Sequence, residues 1–241
     1  MSLLLRARNA LAGVVRDLRF PAADRQAEVQ KSERSSEQVA AWWERQHARN
    51  AKFWLSGSRP KRVWRLLDVE KRLVPGARVL DIGVGQGQAA RKLHAMRCVV
   101  DALDISRAAL HRVTAFTRRR FLADSLPSLP SAEYDVAISF LVVPHMGNDD
   151  LRQQLRHVIR SLRPSGILAI QTSFPLSGAG TPDTPEKQKA GGVNRPLDEF
   201  RALVRAEGGE ISLEKEIGRF AEFDCGWLAC HITRRASGQG E

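Results

Sequence analysis

The chain has 241 residues, 43% hydrophobic and 27% charged, enough for one ordinary domain with a real core and some extension. No apolar run reaches the roughly 18 residues of a membrane span. The first run, Leu3 to Leu5, is cut by Arg6 and Arg8, where a secretory signal needs about 7–15 uninterrupted apolar residues, so a cytoplasmic chain is expected.

The N-terminal extension, residues 1–59, opens on an amphipathic helix over 2–19, with Leu4, Leu11, Val14, Val15 and Leu18 at helical spacing and Arg6, Arg8, Arg16 and Arg19 interleaved. Pro21 stops it and a polar stretch follows. Residues 37–55 read as a helix carrying Trp42, Trp43, Phe53 and Trp54, and 61–74 as another, with Val63, Leu66, Leu67 and Leu73. After Pro75-Gly76 the pattern alternates. Strands are expected at "RVLDIG", "CVVDALDI", "RRFLA", "YDVAISFLV" and "ILAIQTS", and helices over 87–96, 106–117, 149–163 and 197–207. Pro164-Ser165-Gly166 reads as a turn, 174–195 as a long loop, 210–218 and 226–234 as a closing hairpin, and 236–241 as a tail. Such alternation over 60–235 predicts an α/β, doubly wound, mostly parallel sheet with helices on both faces.

Two compositional features bear on partners. Cys98, Cys225 and Cys230 form no CxxC pair and are odd in number, which suits buried reduced thiols. The net charge of +11 is uneven: residues 1–124 carry 25 Lys and Arg against 12 Asp and Glu. A basic half could meet an anionic substrate, a nucleic acid or a membrane surface, although arginine-rich codon usage explains part of the total. The run Arg118-Arg119-Arg120 reads as a solvated edge.

The first strand-to-helix turn is "VLDIGVGQG", with Gly83, Gly85 and Gly87 at alternate positions. Glycines let the backbone approach a ligand there. A dinucleotide site would read G-x-G-x-x-G and face a pyrophosphate. Here Asp81 precedes a G-x-G-x-G spacing, and a carboxylate suits a cationic ligand instead, such as the amine and sulfonium of S-adenosylmethionine. Asp104, ending the second strand, can accept from ribose hydroxyls, and Asp124, after the third, from an adenine amine. Each alone could be a loop or cap residue, but three acids end three successive strands.

These segments resemble a class I S-adenosylmethionine-dependent methyltransferase. "VLDIGVGQG" matches the family's first motif and "LDIS" the acidic end of its second strand. "LADSLPSLPSAEYDVAISFLVVPHM" matches the adenine segment and fourth strand, and "LRQQLRHVIRSLRPSGILAI" the helix, turn and fifth strand, with Ser165 where the family usually has glycine. The resemblance covers about 60–234. It implies a seven-stranded Rossmann-like sheet with an antiparallel last strand, and S-adenosylmethionine as cofactor. It places Asp81, Gly83, Gly85 and Gly87 around the methionine part, Asp104 on the ribose and Asp124 near the adenine, with Ile105, Ser125 and Phe140 as further cofactor-binding residues.

Methyl transfer needs alignment of nucleophile, methyl and sulfur, and a hydroxyl nucleophile gains from a general base. His145, just after the fourth strand, is the candidate base; packing against the cofactor is its plainer role. His47, His94, His111, His157 and His231 are read as structural, and no metal site is expected. "SFLVVP" lacks the Asn/Asp-Pro-Pro-Tyr/Phe-like sequence of enzymes that methylate base amines, so DNA is not an expected substrate. Trp42, Trp43, Trp54 and Trp64 could wall a substrate pocket or pack as core. The leading expectation is O-methylation of a small molecule or a glycan or lipid-linked intermediate, with residues 2–19 as a peripheral anchor to anionic membrane. RNA methylation along the basic half and a non-catalytic adenosyl-binding partner subunit rank behind it.

Overall fold

The computed structural model describes residues 36–48, 64–177, 195–220 and 225–235. Its strands are β1 (Arg78–Ile82), β2 (Val99–Asp104), β3 (Arg119–Leu122), β4 (Tyr134–Ser139), β5 (Leu162–Pro175), β6 (Gly209–Phe220) and β7 (Cys225–Arg234). They form one seven-stranded sheet in the order β3-β2-β1-β4-β5-β7-β6. The first five pair in parallel, while β7 runs antiparallel to both β5 and β6. This is the expected doubly wound sheet with a closing hairpin. The strand order turns back between β1 and β4, where such sheets open a ligand crevice beyond the strands' carboxyl ends.

The helices are α1 (Ser36–Ala48), α2 (Gln88–Ala95), α3 (Arg107–Arg112), α4 (Asn148–Ser161) and α5 (Leu197–Ala206). Period-two alternation sorts the strands' side chains into two layers. Leu80, Ile82, Leu103, Ala137 and Ile170 pack with Leu155 and Val158 of α4 and Phe200 and Leu203 of α5. Val79, Val100, Ala102, Val136 and Ile138 pack on the other face with Leu93 of α2, Leu110 of α3 and Trp64. All three cysteines are buried and free, as expected.

Several boundaries differ from the sequence reading. Of the helix expected over 61–74, the described residues 64–74 are α-helical at 64–66; Asp68 turns left-handed at φ 53° and a 3-10 turn, Val69–Arg72, follows. Asp accepts that conformation more readily than most residues. The helix expected over 106–117 stops at Arg112 and becomes a 3-10 turn, Thr114–Phe116. Thr114 and Thr117 there donate their hydroxyls to the carbonyls of His111 and Val113, at 2.7 and 3.0 Å, an alternative to continuing the helix. Pro164-Ser165-Gly166 lies within β5, at a register irregularity against β4. A Cβ on Gly166 would sit 2.6 Å from the Tyr134 carbonyl, which accounts for a glycine at that crossing.

The run Arg118-Arg119-Arg120 leads into the edge strand β3, with Arg118 and Arg120 exposed as expected, but Arg118 and Arg119 also turn inward. Their guanidinium groups donate to the fully buried carboxylate of Asp101 at 2.7 and 2.6 Å and also pair with Glu133. Tyr134 donates its hydroxyl to Asp101 at 2.8 Å. A carboxylate inside a sheet needs such partners, so tertiary structure recruits the arginines. Trp64 is likewise core rather than pocket wall: it is fully buried, with Lys92 Nζ 4.4 Å from its ring centroid. Trp54, the proposed anchor 2–19 and most of the loop 174–195 lie outside the described residues.

Candidate active site

The turn from β1 to α2 takes shape because its glycines have no Cβ. Gly83 and Gly87 adopt φ of 69° and 75°. A Cβ on Gly83 would come within 2.2 Å of Val142 Cγ2, and one on Gly87 within 2.5 Å of Val113 Cγ1. The loop thus lies tight against the segment after β4 on one side and the end of α3 on the other. Gly83 N–H donates to the Leu103 carbonyl at 2.7 Å, and Gly85 N–H to Asp104 Oδ2 at 3.0 Å, tying the turn to the end of β2.

Asp81 and Asp104 are both buried, 4% and 6% exposed, at the ends of neighbouring strands. Asp81 Oδ2 has no hydrogen-bond partner. Burial pushes the Asp81 carboxyl up to about 7, helped by the nearby charge of Asp104 and opposed by the Ala90 N–H. Burial raises Asp104 as well, against the N–H groups of Gly85, Ser106 and Ile105 and the charge of His47. Ser106 N–H reaches Asp104 Oδ1 at 2.8 Å, while its hydroxyl accepts from Ala109 N–H and caps α3. Two buried acids, one with an open oxygen, can receive a cationic group and a hydroxyl-bearing ring side by side.

The other expected residues take these places. Ile105 follows Asp104, half-buried. Asp124 and Ser125 lie on a 3-10 turn after β3; Asp124 is exposed and accepts from Ser125 Oγ at 3.1 Å. Phe140, half-buried, is the first residue past β4 and packs on the α2–α3 side. Next comes Leu141 at φ 62°, a strained conformation for an aliphatic side chain at the crevice mouth. The 3-10 turn Val143–His145 then presents His145, half-buried.

The structure brings α1, whose Trp42 and Trp43 were expected as pocket wall or core, onto the glycine turn, together with His47, which was read as structural. Glu44 accepts from Ala108 N–H at 3.3 Å at the start of α3, and Arg112 donates to the His47 carbonyl at 2.9 Å. So anchored, α1 stacks the Trp43 ring on His47, centroids 5.5 Å apart, and sets its edge to His145 at 5.1 Å. His47 is 6% exposed, its Nδ1 has no hydrogen-bond partner, and its Cε1 lies 3.6 Å from where a Gly85 Cβ would stand. Burial, with Arg112 adding, lowers the imidazole's proton affinity against the pull of Asp104 and Glu44. The one sequence signal was the i, i+4 spacing of Trp43 and His47 on one helix face. Arg195, fully buried near the exit of β4, gave no sequence signal at all.

Strand order and the glycine turn between two buried acids give the described residues a doubly wound, Rossmann-like fold whose ligand crevice opens at the carboxyl ends of the strands. Within this fold, residues 79–166 match the family model described as a methyltransferase domain. The chain is similar to a malonyl-[acyl-carrier protein] O-methyltransferase of Enterobacter lignolyticus, 37% identical over 103 residues, covering 40% of this chain and 39% of that relative's length. The match therefore spans well under half of either protein. Among solved structures, a Leishmania major SAM-dependent methyltransferase aligns with TM-score 0.60 at 12% identity, covering 82% of each chain. Magnesium protoporphyrin IX methyltransferase from Synechocystis, with bound SAH, aligns with TM-score 0.53 at 18% identity, covering 73% of this chain and 81% of that one. The [4+2]-cyclase SpnF aligns with TM-score 0.56 at 19% identity, covering 72% and 81%. A cyclase among such folds shows that the sheet alone does not fix the reaction.

Proposed function

We propose that this chain transfers a methyl group from S-adenosylmethionine to an oxygen of a small-molecule acceptor. The observation that carries the reading is Asp81: a buried carboxylate with an open Oδ2, beside a turn that only glycines can make. Asp81 would hold the ammonium of the methionine part. Asp104, fixed by Gly85 and Ser106, would accept from the ribose, with Ile105 beside it. Asp124, Ser125 and Phe140 would border the adenine. Bound there, S-adenosylmethionine supplies a methyl already activated by the sulfonium.

The protein's part is then alignment and proton removal. His145 would take the acceptor proton, its ring steered by the edge of Trp43. His47, whose proton affinity burial lowers, would close the turn from above and exclude water. The resemblance to a malonyl-[acyl-carrier protein] O-methyltransferase supports oxygen as acceptor atom. Engagement of Arg118 and Arg119 with Asp101 and Glu133 weighs against a phosphate track for RNA along that edge.

The test uses methyl-labelled S-adenosylmethionine with an extract of the source cell, divided into RNA, protein, lipid–glycan and small-molecule fractions. Label in the small-molecule or lipid–glycan fraction, lost with Asp81→Ala, is the expected result. Label in RNA overturns it.

A further inference from the structure

Arg195 is 1% exposed, among the largest fully buried side chains of the protein. Its Nε donates to Asn148 Oδ1 at 2.6 Å and its Nη2 to the Met146 carbonyl at 2.8 Å. Its Nη1 has no hydrogen-bond partner. Both acceptors are neutral, and among the described residues no carboxylate forms an ion pair with it. The nearest compensating charge, Glu199, is exposed and spends an oxygen on Asn148 Nδ2. Burial accordingly lowers the guanidinium's proton affinity, with Glu199 opposing.

A guanidinium carries five donors and stays charged in proteins. To bury one against two neutral oxygens and leave a nitrogen open is costly in the absence of an anion. The position is not a random one. Met146 follows His145, Asn148 opens α4, and Arg195 N–H donates to the carbonyl of Ser173 near the end of β5. Arg195 thus links the exits of β4 and β5, next to the turn that carries His145. A singly charged planar anion matches one open guanidinium nitrogen.

Resting on the methyltransferase reading above, we propose that Arg195 anchors a carboxylate of the methyl acceptor, so that the substrate is a carboxylic acid bound through its anionic group beyond the carboxyl ends of β4 and β5. The chain then discriminates for acids over their neutral amides or esters, because a neutral group would leave the buried charge unanswered.

The test is calorimetric titration of the full chain with malonate, with malonamide as neutral control and inorganic phosphate as the alternative anion, in the presence of S-adenosylhomocysteine. Malonate is expected to bind, malonamide not, and Arg195→Gln to weaken malonate by at least about tenfold while S-adenosylhomocysteine affinity stays unchanged. Equal malonate affinity in both proteins, or malonamide binding as well as malonate, overturns the proposal, as does preference for phosphate. If Arg195→Gln does not fold, the Nε–Hε resonance of Arg195 in the unaltered protein, assigned through Arg195→Lys, decides. It should shift on adding malonate, and a resonance unmoved up to about 50 mM overturns the proposal. Absence of malonate binding to the unaltered chain with S-adenosylhomocysteine bound counts against the carboxylate anchor alone, whereas failure of S-adenosylhomocysteine to bind the unaltered chain counts against the methyltransferase reading.

Discussion

The backbone N–H of Gly85 donates to Asp104 Oδ2 across 3.0 Å, so the turn after β1 and the acid ending β2 are one unit. The bond fixes one carboxylate oxygen of Asp104 and orients the other toward Ser106 N–H. It also brings Asp104 close enough to Asp81 for each charge to disfavour the other. The candidate cofactor site is therefore held by backbone geometry as much as by side chains.

That geometry makes Gly83 intolerant of a side chain. In Gly83→Ala the added Cβ meets Val142 Cγ2 at 2.2 Å with φ at 69°. We expect a loss of about 1–3 kcal/mol in urea denaturation, together with loss of S-adenosylhomocysteine binding. Gly83→Ala combined with Val142→Ala should recover only the steric part, since the positive φ remains.

Asp81 gives a pH dependence of definite sign. Its carboxyl stands at about 7 in the folded protein, above its value in an unfolded chain, so the folded state holds the proton more tightly. Its contribution to stability is fully present below about pH 4 and is lost as pH rises through 7. Asp81→Asn should therefore raise the melting temperature of the ligand-free protein at pH 8 relative to the unaltered chain. A cationic ligand draws Asp81 to its charged form, so binding of S-adenosylhomocysteine at pH 6 should release a proton. Titrations in two buffers of different ionisation enthalpy measure it, and proton uptake would contradict the assignment.

His145 is expected to act on rate rather than cofactor affinity. His145→Ala should lower kcat by about 100-fold or more with S-adenosylhomocysteine affinity unchanged. An unchanged kcat would return the imidazole to packing against Trp43.

Asp101 tests the internal clamp. Its side chain is fully buried, and Asp101→Ala leaves Arg118 and Arg119, both partly exposed, with Glu133 as their remaining carboxylate and the buried Tyr134 hydroxyl without its acceptor, which should cost about 1–3 kcal/mol in denaturant unfolding. Burial raises the Asp101 carboxyl, but bonds from Arg118, Arg119 and Tyr134 prevail and hold it below the usual carboxylate range. Its stabilisation is thus present at neutral pH and lost as pH falls through that low value, so the variant's deficit should shrink in acid.

Residues 2–19 lie outside the described structure, and among the described residues no helix is long and apolar enough to cross a membrane. If the segment is a surface anchor, deleting residues 1–20 should release the protein from anionic vesicles in a flotation assay. Binding that survives the deletion would discard the anchor.

Much of the sheet domain was legible in the sequence because its signals are local. Period-two runs and their flanking Gly and Pro residues mark the strands, and the three acids at strand ends follow from short stretches such as "VLDIGVGQG". Boundaries such as Asp68 and Arg112 were not legible, since hydroxyl-to-carbonyl bonds and a left-handed residue there outweigh helical spacing. The sequence by itself determined that a glycine turn and acids would meet at the carboxyl ends of parallel strands. Only the tertiary structure decided that Trp43 and His47 cover that turn, that Arg118 and Arg119 serve a buried Asp101, and that Arg195 stands charged between β4 and β5. The reason is physical: Arg118 and Asp101 are 17 residues apart, Arg195 and Met146 49, and His47 and the Arg112 that anchors it 65, and burial and charge compensation between distant residues leave no periodic trace in the chain.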